Sequence, residues 1–518
     1  MSTAGEPRPG GLDADGALSE STPPSLGSSV KSGIFWSIFS FLVTKGLAMG
    51  SLLVLTRLLA PSQFGVVAAL TAVLSLIELT TDLGMGQTVI YEQEEGHSER
   101  VDVAFTINIA LTTLLTLVAL AAAPLIASFF HASGHTGLFR LAALDIFLTG
   151  LGGVHDGLLL RDLGFRMRII TQVVNSLMRA AVGISLALAG FGASSLVWGM
   201  LAGTTAWAIS LWICTDFRPT LRFDREIAKS VIPYGFGASM LSLLAQITTQ
   251  VDVAVVGRVL GQRALGLYTV AFRVPSLVLE NVANQVSLVA FPALSRKRVL
   301  DRDGMAAATG RLVNYQSLYA LPLAAGLAVQ AGPIVETLFS AKWRDATGVF
   351  AAVCVMSGVS ASGFALGDAF KALGRQRVMV GLTFIQLPIL VATIIVLAPL
   401  GINAVAWGRC GTLIFWVALM TIAASRVLSI PVSVTLGAMW PGFGTGLGVA
   451  AAAGAVRLWS GLPAIPEMAL AAVLGALAGA LALALVARPM FHELRLIAVG
   501  LLRRTAPGAP GAPLPDPR

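Results

Sequence analysis

The stretch Val251–Tyr268, VDVAVVGRVLGQRALGLY, repeats a pattern that the chain has already used at Thr56–Ala68, TRLLAPSQFGVVA. In each copy an arginine is followed two residues later by leucine and eight residues later by glycine. Arg57, Leu59 and Gly65 thus match Arg258, Leu260 and Gly266 at an offset of 201. A long apolar run ends just before each arginine, and another begins just after each glycine. Two further echoes follow in the same order. GASSLVWG at Gly192–Gly199 matches GINAVAWG at Gly401–Gly408, 209 positions on, and Leu163-Gly164 matches Leu373-Gly374, 210 positions on. Three echoes in one order at nearly one offset describe two related membrane lobes in a single chain.

Composition sets the class. Of 518 residues, 12% are charged and 56% hydrophobic, with a mean hydropathy of +0.80; an ordinary globular chain has about a quarter of its residues charged. At about 20 residues per crossing, such apolar runs form a polytopic bundle of transmembrane helices, whereas a barrel would show short alternating strands. The chain reads as an all-α polytopic membrane protein with fourteen spans: 34–56, 64–90, 103–124, 138–160, 169–190, 193–215, 231–256, 267–292, 312–331, 346–370, 378–398, 402–424, 436–456 and 466–487. Residues 1–30, rich in Gly, Pro, Ser and acidic groups, read as a disordered cytoplasmic tail rather than a signal peptide. The expected organisation is an N-terminal six-helix lobe over 31–215, a cytoplasmic linker helix over 216–230 and a C-terminal six-helix lobe over 231–430. Two extra transmembrane helices over 431–490 and a cytoplasmic tail over 491–518 complete it. The linker, DFRPTLRFDREIAKS, alternates basic and apolar residues like a helix lying on a membrane surface; a solvated linker fits the same residues.

Basic residues set the orientation. With the N-terminus inside, 24 Lys and Arg fall on the inner side and 7 on the outer, with 4 of the 35 inside spans. That asymmetry places both termini in the cytoplasm. It also accounts for the net charge of +8 without a nucleic-acid partner. Six spans separate the two copies of the repeat. An even number gives the lobes the same orientation, related by an axis along the membrane normal, with a cleft between them. The three cysteines, Cys214, Cys354 and Cys410, lie in or at the end of apolar spans and imply no disulfide framework.

Ionisable groups inside spans are costly and mark a pathway or a buried pair. Lys45 lies near mid-membrane in the first span, with Glu78 at matching depth on the next and Asp82 one turn further on. A Lys45–Glu78 pair serves either coupling or the locking of two helices. Arg179 lies near mid-depth in the fifth span; Arg273 and Arg409 lie nearer the outer face, and Glu280 near the middle. If these four cations face the cleft, they make an electropositive cavity suited to an anionic substrate; otherwise Arg273 and Arg409 snorkel to outer headgroups. Asp252, six residues before Arg258, reads as a structural or gating partner of nearby basic groups. Pro275, Pro322 and Pro388 interrupt spans and free carbonyls, in transporters and in static bundles alike. The glycine pairs Gly84/Gly86 and Gly235/Gly237 follow no strand, which removes a nucleotide-binding reading. His131 and His135 have metal-ligand spacing, but their loop context disfavours zinc. No nucleophile triad, cysteine pair or phosphate loop appears, so no enzyme and no cofactor is expected. Energy would come from an ion gradient, the substrate or the membrane potential.

Several of these stretches together resemble a known family. Trp36 and Lys45, TRLLAPSQFGVVA and DLGMGQTVI (Asp82–Ile90) resemble the start of Wzx-type polysaccharide flippases of the MOP superfamily. VDVAVVGRVLGQRALGLYTVA, FPALS (Phe291–Ser295), LPLAAGLA (Leu321–Ala328) and LFSAKW (Leu338–Trp343) continue the resemblance, which covers 31–430. It implies a V-shaped pair of parallel six-helix lobes plus two C-terminal helices in the bacterial inner membrane. By alternating access these would move an undecaprenyl-diphosphate-linked oligosaccharide to the outer leaflet for lipopolysaccharide or exopolysaccharide synthesis. Implied partners are the lipid-linked oligosaccharide, membrane lipids, and a polysaccharide polymerase with its co-polymerase. A cationic cavity for the anionic headgroup is a family trait; Lys45, Arg179, Arg273 and Arg409 are assigned to it on depth and charge, and Glu78, Asp82, Asp252 and Glu280 to coupling or gating. Competing readings predict other features. A multidrug or cation antiporter of the same superfamily favours an acidic cavity. A membrane-embedded polymerase or ligase carries a long external loop with catalytic arginines and histidines. A non-transporting scaffold needs no Lys45 or Arg179 at mid-depth.

Overall fold

The apolar runs fold as helices wherever the residues are described, because a lipid environment leaves backbone N–H and C=O groups no partners but their own. The computed structural model describes residues 26–81, 98–161, 164–300, 302–488 and 490–491; the side chains of 26–41, 78–81 and 226–245 are among those outside the described set. Asp82, the Gly84/Gly86 pair, most of the expected N-terminal tail and all but the first residue of the C-terminal one therefore lie outside the described residues, as does the Glu78 side chain.

In the first half of the chain, α1 (Leu26–Leu58), α2 (Pro61–Thr81), α3 (Ser98–Phe129), α4 (Thr136–Arg161), α5 (Phe165–Leu188) and α6 (Ala193–Cys214) follow in order. In the second half, α7 (Arg225–Ala271) breaks at Gly261, whose φ of 80° and ψ of −176° only glycine adopts freely. Its second piece continues through Arg273–Pro275 and a π-helical turn at Ser276–Glu280 into α8 (Asn281–Leu300). Then come α9 (Arg302–Val329), the short α10 (Ala331–Phe339), α11 (Thr347–Ala372), α12 (Gln376–Leu397), α13 (Ile402–Val427), α14 (Val432–Trp459) and α15 (Ala464–Val486). Counting the second piece of α7 together with α8 as one helix and leaving out α10, the described residues make fourteen membrane-length helices. Nine helices among the described residues are both long and apolar enough to cross a membrane. The protein is an all-helical, multi-span membrane protein.

Two of the three echoes mark the same backbone devices in both halves, while Gly164 (φ −71°) and Gly374 (φ 68°) differ. Gly261 breaks the chain where Ala60 separates α1 from α2, and Pro61, at the first position of α2, has no N–H that the helix start would leave unpaired. Gly192 (φ 58°) and Gly401 (φ 102°) are the positive-φ residues that cap α6 and α13.

The repeat glycines meet each other. A methyl group on Gly65 would lie 1.7 Å from the carbonyl oxygen of Gln262, and one on Gly266 would lie 1.8 Å from that of Pro61. Since 201 residues carry Pro61 to Gln262 and Gly65 to Gly266, the two contacts are images of each other, as across a twofold axis. The repeat arginines cross in the same way. Arg57 donates to the Thr337 carbonyl at 3.2 Å, and Arg258 to the Phe129 carbonyl at 3.3 Å. Lys342 and the buried Trp343 return the contact, donating to the carbonyls of Arg57 (2.8 Å) and Thr56 (2.9 Å). This backbone-to-backbone seam of α2 on α7 joins the halves at the end of the bundle that holds the repeat, called here the repeat end.

The expected linker helix over 216–230 is a correction. Residues 215–224 have no helical structure, and α7 begins only at Arg225. Pro219 has no N–H to give and pushes Arg218 towards extended backbone. Arg218 instead donates to the carbonyls of Trp212, Thr215 and Phe217. The segment is strapped along α3: the Thr220 N–H donates to Asp102 at 2.9 Å, the Arg222 N–H donates to Thr106, and the Arg222 guanidinium pairs with Glu99.

The seam predicts a stability pattern. Gly65→Ala and Gly266→Ala should each cost about 1–3 kcal/mol, while Gly134→Ala, with nothing within 4 Å of its new methyl, should be neutral. The double mutant should cost less than the sum, because either methyl already parts the same helices. Thermal unfolding of the purified proteins measures this, and equal melting of all four variants would contradict the seam.

Candidate functional site

A cavity of about 680 Å³ lies between the halves, lined by α1, α2, α5 and α6 on one side and by α7, the π-helical turn, α11 and α13 on the other. Six of the eight residues singled out in the sequence line it: Lys45, Arg179, Arg273, Arg409, Asp252 and Glu280. Each arrives there for a local reason. Gly199 and Gly203, four residues apart on α6, let that helix approach the carbonyls of Arg179 and Asn175; added methyls would lie 2.8 and 2.9 Å from those oxygens. Small residues at this spacing permit close helix contact in membranes and fix α5, with Arg179 and Asn175, against the cavity. On the other side Pro275 cannot donate to the preceding turn, and the chain widens into the π-helical turn Ser276–Glu280. The Asn281 side chain donates to the Ser276 carbonyl at 3.1 Å, and Tyr319 donates its hydroxyl to the Val278 carbonyl. The turn places Arg273 at its start and Glu280 at its end, where the Ser357 hydroxyl donates to the Glu280 carboxylate at 2.7 Å.

The four cations fall into two kinds. Arg409 is already neutralised: its guanidinium pairs with the Asp252 carboxylate, which also accepts the Tyr268 hydroxyl at 2.7 Å. Asp252 is 2% exposed and Tyr268 1%. The Arg409 guanidinium also stands 5.5 Å from the centroid of the Phe272 ring, within reach of a cation–π contact. Arg409 is thus one half of a buried ion pair with a tyrosine brace. Lys45, Arg179 and Arg273 differ: each is exposed and lines the cavity, and among the described residues none of them forms an ion pair. Four cations against two carboxylates leave the described lining net positive, and low-dielectric walls strengthen that field. The arrangement can hold an anion with more than one negative oxygen. The Lys45–Glu78 pair and the role of Asp82 lie outside the described side chains.

Several lining residues carry no signal in the sequence. Asn175, Gln250 and Asn281 are uncharged amides among apolar neighbours, and a single amide barely changes the hydropathy of a 20-residue run. Gln250 reaches across the halves to the Ser75 hydroxyl at 3.2 Å. Tyr268 closes the quoted stretch, yet nothing there announces its bond to Asp252, because the two stand 16 positions apart across the break at Gly261. The His131/His135 spacing has no metal counterpart: among the described residues no group of three His, Cys, Asp or Glu could hold a metal ion.

The family described as "Polysaccharide biosynthesis protein" matches residues 54–348 of the chain. The succinoglycan biosynthesis transport protein ExoT of Rhizobium meliloti (strain 1021) is 25% identical over 358 residues, covering 69% of this chain and 72% of that protein. In structure, the lipid II flippase MurJ in its inward closed conformation aligns with a TM-score of 0.73 at 15% identity, over 88% of this chain and 99% of that one. An inward-facing multidrug resistance MATE family transporter of the MOP superfamily aligns with a TM-score of 0.62 at 18% identity, over 74% and 94%. The fold is therefore the one these transporters share.

The buried triad yields a prediction that is independent of any substrate. Asp252→Leu strands the Arg409 guanidinium and should cost about 3–5 kcal/mol, whereas replacing both partners by leucine should recover most of that loss. Tyr268→Phe, which removes one hydrogen bond, should cost about 1 kcal/mol. Melting curves of the purified variants check the ranking; a double mutant worse than either single would contradict the pair.

Proposed function

The chain belongs to the polysaccharide biosynthesis protein family, and from that premise we propose that it flips a diphosphate-linked oligosaccharide lipid across a bacterial inner membrane. The observation that carries the reading is the set of three exposed cations, Lys45, Arg179 and Arg273, which form no ion pair among the described residues, in a cavity shared by two related halves. A polyprenyl diphosphate offers paired anionic oxygens to arginine, which binds phosphate in two-pronged fashion, while Asn175, Gln250 and Asn281 offer neutral donors and acceptors to the adjoining sugar. The lipid tail remains outside in the bilayer. The substrate bound by a lipid II flippase of the same fold and the polysaccharide role of the matched transport protein support this substrate class.

In this reading residues 31–215 and 231–430 act as two parallel lobes about a V-shaped cleft, with α14 and α15 as additional helices beside the second. The basic end faces the cytoplasm, as the 24-to-7 distribution of Lys and Arg requires, and the repeat end faces outward. The lobes rock about the cavity, opening it to one side at a time. Substrate arrives from a lipid-linked assembly step inside, and a polymerase with its co-polymerase consumes it outside. The multidrug antiporter reading has the same fold in its favour, but the lining that the described residues form is net positive and repels cationic drugs.

Loss of one charge-assisted contact costs about 1.5–3 kcal/mol, a ten- to hundredfold loss of affinity. Arg179→Ala and Arg273→Ala should therefore each reduce polysaccharide export severely at unchanged protein abundance, and Arg→Lys should restore it in part. Export assayed in cells and normalised to membrane-inserted protein measures this. Full export by both single mutants and the double mutant would remove the cationic-site reading.

A further inference from the structure

The two halves of the seam differ at one side chain. On one half, Arg57 meets only the Thr337 carbonyl among the described residues. On the other, Arg258 Nη1 lies 3.3 Å from the Phe129 carbonyl and also 3.0 Å from Nε2 of His131. His131 has left-handed backbone, φ 53°, which is costly for a residue with a side chain. It turns its carbonyl to the Gln262 amide at 2.7 Å. Arginine has donors only, so Nε2 must present its lone pair and the ring must be neutral with its hydrogen on Nδ1. A proton added at Nε2 removes that acceptor and sets a second cation against Arg258 at hydrogen-bond distance.

The other groups around the ring do not relieve this clash. From α7 come Arg258 and Arg263, and Arg263 is held by Asp345 at 3.0 Å. The turn Ser133–His135 brings His135, and α4 brings Arg140; α3 ends without a basic or acidic residue in its last turn. Among the described residues no carboxylate forms an ion pair with His131. At the opposite half, the Arg344 guanidinium holds the Glu336 carboxyl below the ordinary carboxylate range, so that pair stays ionised in mild acid while histidines take up protons.

We infer that the repeat end is a proton-sensitive latch, in which protonation of His131 at Nε2 releases Arg258 and favours the state open on that side. The inference rests on the alternating-access reading above. Its sign follows from the contact: a ring carrying a hydrogen at Nε2 has no lone pair to offer Arg258, so acid on that side disfavours the closed arrangement. With the repeat end facing outward, a proton gradient would bias the cycle without protonation of the cavity carboxylates Asp252 and Glu280.

The test uses spin labels at Ser133→Cys and Ala341→Cys, exposed positions on opposite halves of the repeat end. Cys214, Cys354 and Cys410 are replaced by alanine, and distances are read by double electron–electron resonance in lipid nanodiscs. Going from about pH 7.5 to about pH 5.5, which brackets ordinary histidine titration, should raise the ratio of long to short distances roughly three- to tenfold. His131→Gln should keep the short distance at both pH values, and His131→Arg should favour the long one at both. Arg258→Gln should flatten the response, and His135→Gln should leave it intact. An unchanged pH response in His131→Gln, or none in the unsubstituted latch, would overturn the inference. Acid-dependent distances in a protein that exports nothing would keep the latch and remove the proposed function; acid-independent distances in an exporting protein would remove the latch alone.

Discussion

Two glycines against two carbonyls hold the halves of this protein together. At Gly65 and Gly266 the helices α2 and α7 approach until only a hydrogen atom fits between Cα and the facing backbone. Because each glycine faces the residue that precedes the other by four, one contact specifies the other. The cavity's floor and reach depend on this seam, since Phe64, Tyr268 and Thr269 sit beside it and line the cavity.

Beyond the seam, the electrostatics of the cavity divide labour between the halves. The second half binds one of its own cations: Arg409 is tied to Asp252 and braced through Tyr268. The desolvation cost of such a pair is large, and its value lies in fixing α7 against α13 rather than in stability as such. Arg179 from the first half and Arg273 from the second are left to face whatever enters. An anion bound between them contacts both halves at once, which is how a ligand comes to favour one arrangement over another.

Much of this was legible in the residues. Twofold use of Arg–x–Leu and glycine eight residues on predicted two related halves, and the structure brings those arginines and glycines to one seam; their partners lie 129 to 280 residues away, which no local pattern announces. Six of eight charged positions assigned by depth line one cavity, because a charge in an apolar run can be tolerated only where polar space awaits it. The linker was misread: its basic and apolar alternation fits an interfacial helix, but Pro219 and the pull of Asp102 on Thr220 hold it extended. Depth also could not separate Arg409 from Arg273. Both are arginines at similar height, and only the packing of α7 on α13 delivers Asp252 to one of them.

The central claim is that transport requires the seam to part. Cysteines at Arg57 and Lys342, exposed and in contact across the halves, can be joined by a short reducible bifunctional thiol reagent in a background lacking Cys214, Cys354 and Cys410. Transfer of a fluorescent polyprenyl-diphosphate oligosaccharide between leaflets of proteoliposomes is then followed before linking, after linking and after reduction. The account predicts that linking stops transfer and that reduction restores it in the same sample. Undiminished transfer with the seam cross-linked would contradict it.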